Sequence, residues 1–251
     1  SAALAGQPIL SRPETVLDPS NVGSAAQALS SLKLELLRMT ELIEAMFRPV
    51  MALYRSGEKE HIRAVQALDR DVNACLTRIR AFVAGLPAEM MAGDDGRAAR
   101  DMLEYAVRLE TAGDVVAARL MALAGDLKKA PGGFSEEGWA ELQGMHRSIL
   151  ANMKLASNVL ISDDLESARL LNMEKTEMKR AERDSRKGHF RRLQSGQKQS
   201  FASSDIHLET LRAFRDFNSN IAAVATPILY ANGQLLETRL IERMPSRQGD
   251  D

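Results

Sequence analysis

The chain has 251 residues, 45 % hydrophobic and 27 % charged, a composition typical of one large or two small globular domains. Aromatic residues make up only 4 %, which argues against a β-sandwich and against a stacking platform for single-stranded nucleic acid. The net charge of −1 gives no overall attraction to DNA or to an anionic membrane. The single cysteine, Cys75, excludes an internal disulfide and a cysteine-rich zinc site, and favours an intracellular protein.

Residues 1–24 contain three prolines and two glycines without periodicity, which predicts a linker. Pro49 lies within the first helical stretch that follows and is expected to kink it. Apolar residues recur every three or four positions over three stretches, which predicts three amphipathic helices at 29–53, 62–82 and 102–127. These helices form a first predicted repeat over residues 25–130.

Residues 131–133, Pro-Gly-Gly, form the strongest helix breaker in the chain. Ser135, followed by two glutamates, is typical of a helix start, and three more periodic helices follow it. We predict a second three-helix repeat over residues 134–240 and a flexible tail over 241–251. No stretch alternates with period two, so the predicted fold class is all-α, and no run of about 20 apolar residues predicts a membrane span.

Acidic residues flank the predicted apolar seam of the first repeat. Glu110 and Asp114 are four residues apart on the third helix and therefore share a face, and Asp69 and Asn73 have the same spacing on the second helix. Gly113 lets a facing helix approach closely, so these oxygen atoms could meet and hold a hard divalent cation or ferric iron. The alternative is that the acids are solvated or paired with arginines such as Arg70 and Arg108.

Patterns for enzymatic chemistry are weak. A di-iron oxidase needs Glu-x-x-His on two helices, and only the stretch Glu58 to His61 fits. Cys75 lies on an apolar face without a histidine nearby in sequence, which favours a structural thiol. There is no glycine-rich phosphate loop, so we expect no enzyme.

Residues 175–198 hold nine basic and three acidic side chains in an otherwise neutral chain. The stretch predicts a patch for a lipid surface, phosphate groups or an acidic partner, or alternatively a solvated helix end. Phe190 is its only ring besides His189, so nucleic acid is not an expected partner. The charge is concentrated at Arg186, Lys187, Arg191 and Arg192.

Two three-helix units carrying an acidic pair resemble the PhoU fold, and in particular the PhoU-like domain of bacterial sodium/phosphate cotransporter-family proteins. The segment 16–19 resembles the connection between the membrane part and the soluble part of those proteins. The stretches that carry the resemblance are 36–39, 108–114, 134–138, 204–212, 218–219 and 227–229.

The resemblance implies metal ligands, because acidic motifs of the PhoU family can hold multinuclear clusters that include iron. Glu110, Asp114 and Asp69 match those motifs, whereas Asn73 replaces an acid. In the second repeat Asp216 matches, but Arg212 stands where the preceding acid is expected, which weakens a second site.

The resemblance further implies a regulatory or sensing domain of a sodium-dependent phosphate transporter, at the cytoplasmic face of the inner membrane. Its implied partners are a transporter membrane domain in the same chain, which residues 1–24 would connect, signalling proteins and a second copy of the chain. A free-standing PhoU-type regulator is the main alternative. A metal-dependent enzyme or metal store, and a plain helical adaptor, also remain open.

Overall fold

The computed structural model describes residues 17–130, 132–194 and 203–235. Most of the predicted linker (residues 1–16), the tail (241–251) and the end of the basic stretch (195–198) lie outside these residues. Within the described ranges the chain contains helices and no strand, which confirms the all-α prediction. The α-helices are α1 (Ala25–Phe47), α2 (Val50–Ser56), α3 (Lys59–Ala84), α4 (Gly93–Asp114), α5 (Met121–Lys129), α6 (Glu136–Ser162), α7 (Leu165–Gln194), α8 (Ser204–Ile221) and α9 (Ala225–Ala231).

The helix ends follow the capping chemistry of the sequence. The Ser135 hydroxyl accepts the backbone N–H of Gly138 at 3.2 Å, which confirms the predicted start of α6. Asp164 accepts the N–H of Ser167 at 2.8 Å and caps α7 in the same way. Pro49 separates α1 from α2, as the predicted kink requires.

The third helix of the first repeat contains a turn that the sequence did not predict. Residues Val115–Leu120 form a π-helix between α4 and α5, and the N–H of Met121 donates to the carbonyl of Val116, five residues earlier. A π-turn inserts one extra residue into an α-helix and is frequent at functional sites. It begins directly after Asp114, the last residue of the predicted acidic motif.

The six predicted helices form two three-helix bundles. In the first repeat α1 packs on α3 and α4, and in the second α6 packs on α7 and α8. The bundles also pack on each other, because α4 contacts α8 and α1 contacts α6. The buried apolar side chains of both bundles belong to one continuous core. The exact limits of the two repeats, 25–130 and 134–240, stay predictions.

Aromatic side chains join the two bundles at the centre of the core. Phe47 of α1 is 0 % exposed and stacks on His146 of α6 at 4.7 Å and on Phe217 of α8 at 4.3 Å between ring centroids. His146 donates from Nε2 to the carbonyl oxygen of Phe47 at 3.1 Å, and burial lowers its pKa. His146 is therefore a neutral core residue that links the bundles.

Two buried tyrosines tie the bundles together through their hydroxyls. Tyr54 of α2 lies 3.1 Å from the hydroxyl of Thr210 on α8, and Tyr105 of α4 donates to the carbonyl oxygen of Ile221 at 3.1 Å. Both phenols satisfy their hydrogen bonds across the interface, and burial raises the pKa of each. The interface is therefore specific as well as apolar.

Candidate functional site

The structure brings the predicted acidic residues to one place between α3 and α4. Asp69 and Asn73 lie on α3, and Glu110 and Asp114 lie on the last turns of α4, which packs on α3. Gly113 makes this approach possible, because a Cβ atom there would lie 3.2 Å from Oδ1 of Asp69. We call these four residues, Asp69, Asn73, Glu110 and Asp114, the acidic cluster.

Asp69 contributes a buried carboxylate oxygen that has no hydrogen-bond partner within the described residues. Asn73 donates from Nδ2 to the backbone oxygen of Asp69 at 3.1 Å and to its Oδ2 at 3.2 Å. The second carboxylate oxygen, Oδ1, is buried and has no hydrogen-bond partner within the described residues. Burial, together with the charge of Asp114, raises the pKa of Asp69.

Glu110 experiences the same local excess of negative charge. Burial raises its pKa first, the charges of Asp114 and Asp69 raise it further, and Arg80 opposes them. Of the two arginines suggested as partners, Arg108 approaches Glu104 at 3.9 Å, and Arg70 is exposed and forms no ion pair within the described residues. A proton or a cation would relieve this repulsion.

The donor types of the acidic cluster suit a hard cation, which prefers carboxylate and amide oxygens. The buried Oδ1 of Asp69, which has no hydrogen-bond partner within the described residues, is such a donor and lies 3.2 Å from the position that a Cβ atom at Gly113 would take. Among the described residues, however, no three His, Cys, Asp or Glu side chains are arranged to hold a metal ion. The donors therefore fit one cation in chemistry, and their side chains would have to approach each other to coordinate it.

The acid of the second repeat has a different environment. Asp216 on α8 accepts hydrogen bonds from Nη1 of Arg119 at 2.8 Å and from Nη2 of Arg215 at 2.9 Å. Burial acts to raise its pKa, but these two arginines outweigh burial and lower it. Arg212, which replaces the expected acid, forms an ion pair with Glu209 on its own helix. Asp216 is thus engaged in an ion pair between the two repeats.

This ion pair is part of a longer chain of charges that sequence reasoning missed. Arg215 also lies 3.6 Å from Glu182 of α7, and Glu182 forms an ion pair with Arg186. Glu182 is only 4 % exposed, so it belongs to the interior although it is one of the three acids of the basic stretch 175–198. The alternating charges connect the π-turn, α8 and α7.

The predicted basic patch divides into two parts. Arg186 points toward Glu182, whereas Lys187 and Arg191 are exposed. The side chain of Arg192 lies outside the described part of the structure. Lys187 approaches Asp184 at 3.8 Å.

A serine, a glutamate and a histidine meet in the second repeat without forming a catalytic triad. The hydroxyl of Ser185 donates to Oε2 of Glu141 at 2.5 Å, and Nε2 of His207 lies 3.4 Å from the same oxygen. A triad requires the histidine to contact the nucleophile, whereas here the carboxylate lies between the two. The group joins α6, α7 and α8 and gives no activated serine.

Cys75 has the environment of a structural thiol. It is 1 % exposed, and Arg78 donates from Nη2 to its Sγ at 3.0 Å while also donating to the buried Glu35 at 2.9 Å. Burial is the main reason that its pKa rises to about 11. A thiol with this pKa is not a nucleophile at neutral pH.

The relatives of this chain are connected with phosphate. No family model matches it. It is 30 % identical over 213 residues to the "Putative inorganic phosphate export protein YjbB" of Salmonella typhimurium, and equally to that of Escherichia coli O157:H7. The alignment covers 85 % of this chain but only 39 % of the length of these relatives.

Two solved structures share the fold. The phosphate transport system regulatory protein PhoU from Streptococcus pneumoniae superimposes with a TM-score of 0.72, covering 86 % of this chain and all of that one. PhoU from Pseudomonas aeruginosa gives 0.62, covering 83 % of this chain and 99 % of its own. Sequence identity is 16 % in both cases, so these likenesses establish the fold alone. The prediction of a PhoU-like fold of two three-helix bundles is confirmed.

Proposed function

We propose that this chain is a regulatory domain in phosphate transport and has no catalytic activity of its own. One observation carries the proposal: a chain with the PhoU fold is 30 % identical, over 85 % of its length, to proteins named for phosphate export. The similar proteins are transport or regulatory proteins, and the Ser185 group and Cys75 lack the geometry of activated nucleophiles.

The finer part of the proposal concerns where the domain works. The relatives are more than twice as long as the matched region, which supports a domain joined to a transporter at the cytoplasmic face of the inner membrane. A free-standing PhoU-type regulator fits the fold equally well. Among the described helices, none is long and apolar enough to cross a bilayer. A sodium-dependent mechanism and signalling partners remain part of the proposal.

The function can be tested in the organism that carries the gene. Deleting the gene should change the intracellular phosphate concentration when external phosphate is shifted between scarce and abundant, and the intact gene should restore it. Intracellular sulfate, a similar anion, should not change. Equal phosphate concentrations in both strains would contradict the proposal.

Within this function, we propose that the acidic cluster responds to a hard cation, either ferric iron or a divalent ion. Asp69, Glu110 and Asp114 would supply carboxylate oxygens and Asn73 an amide oxygen. The bound charge would offset the burial and the mutual repulsion that raise the pKa values of Asp69 and Glu110. Binding would draw these side chains together directly before the π-turn. The π-turn contains Arg119, whose ion pair with Asp216 joins the repeats, so we propose that the movement reaches this pair.

Melting temperatures test the cation site. Ferric or divalent ions should stabilise the wild type and the control variant Glu104→Gln, which changes an exposed acid of the same helix outside the cluster. The same ions should leave Glu110→Gln unaffected. Equal ion responses in all three proteins, or none, would refute the site.

We also propose that the protein forms a homodimer at micromolar concentration. Large apolar side chains that remain exposed, among them Ile161 and Met173, provide surface for self-association. Light scattering should give twice the mass of one chain, and the mass of a single chain over that range would refute the dimer.

A further inference from the structure

Helix α7 has two different faces. The buried positions on α7 follow one another at steps of three, four or seven residues and therefore face the bundle along one line: Ala168, Leu171, Met178, Glu182 and Ser185. Five basic side chains on the second half of α7 are exposed and project away from that line. We call them the basic face of α7: Lys179, Arg180, Arg183, Lys187 and Arg191.

The charge of the basic face is not balanced locally. Arg180 forms an ion pair with Glu177 at 2.8 Å, and Lys187 approaches Asp184 at 3.8 Å. The other three members of the face, Lys179, Arg183 and Arg191, form no ion pair within the described residues. This excess lies on one helix of a protein whose total charge is −1.

An exposed aromatic ring accompanies these charges. Phe190 is 53 % exposed, directly precedes Arg191 and follows Lys187 by three residues. At 100° per residue, Phe190 points in nearly the same direction as Arg183, seven residues earlier. An apolar ring within a row of cations is the pattern of helices that lie on a membrane surface, where the ring enters the headgroup region and the cations meet anionic headgroups.

We propose that the basic face of α7 docks on an anionic lipid surface. The face is a convex row of side chains along a single helix. Such a row can contact the broad surface of a lipid bilayer, whereas a bound peptide usually needs a groove. The inference goes beyond the proposed regulatory function and is independent of it, because it rests on α7 alone.

Vesicle binding tests the docking. The purified chain should sediment with phosphatidylcholine vesicles that contain 30 % phosphatidylglycerol and not with pure phosphatidylcholine, and raised salt should weaken the binding. The double variant Arg183→Glu/Lys187→Glu should bind at least tenfold more weakly, and Phe190→Ser several-fold more weakly. The matched control, Arg147→Glu/Lys154→Glu, reverses two exposed bases on α6 and should bind like the wild type.

Other outcomes would overturn the proposal. If the chain bound neutral and anionic vesicles equally, charge would not drive the docking. If the α6 control variant lost as much vesicle binding as Arg183→Glu/Lys187→Glu, the total charge of the protein and not the basic face of α7 would determine binding. Release by inorganic phosphate, but not by sodium chloride of the same ionic strength, would indicate a site for free phosphate instead. Binding of polyglutamate without binding of anionic vesicles would indicate an acidic protein partner. Circular dichroism of each variant confirms that it is folded.

Discussion

Replacing Phe47 by alanine should destabilise both bundles together. Its ring is fully buried, stacks on His146 and Phe217, and meets Phe214 edge-on with 5.4 Å between centroids. Truncation of a buried phenylalanine to alanine costs about 3–5 kcal/mol, because transfer free energy is lost and a cavity remains. We expect the upper half of this range, since three aromatic partners lose their contacts with the ring at once.

Urea unfolding followed by two probes tests the shared core behind this prediction. Trp139, the only tryptophan, lies on α6 of the second repeat, and its ring also contacts Arg55 of α2, whose guanidinium carbon lies 5.0 Å from the ring centroid. Its fluorescence therefore reports mainly on the second repeat, whereas far-ultraviolet circular dichroism reports on all helices. The comparison variant is Phe82→Ala, which removes a buried ring from α3 in the first repeat. In each variant, the urea midpoint measured by fluorescence and the midpoint measured by dichroism should shift by the same amount.

Independent repeats would give a different result. In Phe82→Ala the dichroism would then separate into two phases. The fluorescence would show at most a small early change, as Arg55 leaves Trp139, and its main transition would keep the wild-type midpoint. That outcome would refute the conclusion that the two bundles share one cooperative core.

Three further predictions follow from the charges and the thiol. In urea titrations, Asp69→Asn should raise the free energy of unfolding at pH 7 by on the order of 0.5 kcal/mol, allowing for solvent screening. Because the pKa of Asp69 is raised in the folded state, this gain should vanish once the pH falls below the pKa of Asp69 in the unfolded chain, and a gain that persists there would contradict the account. A double-mutant cycle with Arg119→Ala and Asp216→Ala should give a favourable coupling free energy of about 0.2–1 kcal/mol, which is lost as acid protonates Asp216. Zero coupling at pH 7 would show that this ion pair does not stabilise the contact between the repeats. Cys75 should react with a thiol reagent only on unfolding, and rapid reaction in the native protein would contradict its burial.

Much of the fold could be predicted from local sequence signals. Periodic apolar residues, the serine cap at Ser135 and the break at Pro49 each act within a few residues, and the structure contains the corresponding elements. The approach of α3 to α4 at Gly113 was predicted for the same reason, since a glycine on an apolar seam allows close packing.

The contacts that depend on distant residues could not be predicted in this way. Arg119 and Asp216 are 97 positions apart, and only the packing of the two repeats brings them together. Glu182 carries a charge in a basic stretch, yet its position on the inner line of α7 buries it beside Arg215. The π-turn after Asp114 packs on α3 and α8, and no residue in the stretch signals it.

The most direct test of the regulatory function is phosphate flux in cells that express the native gene with or without the codons for residues 17–235. Radioactive phosphate entering and leaving the cells is measured while external phosphate is varied. The regulatory account predicts that phosphate flux continues without these residues but no longer adjusts to the external concentration. The same adjustment in both strains would contradict it.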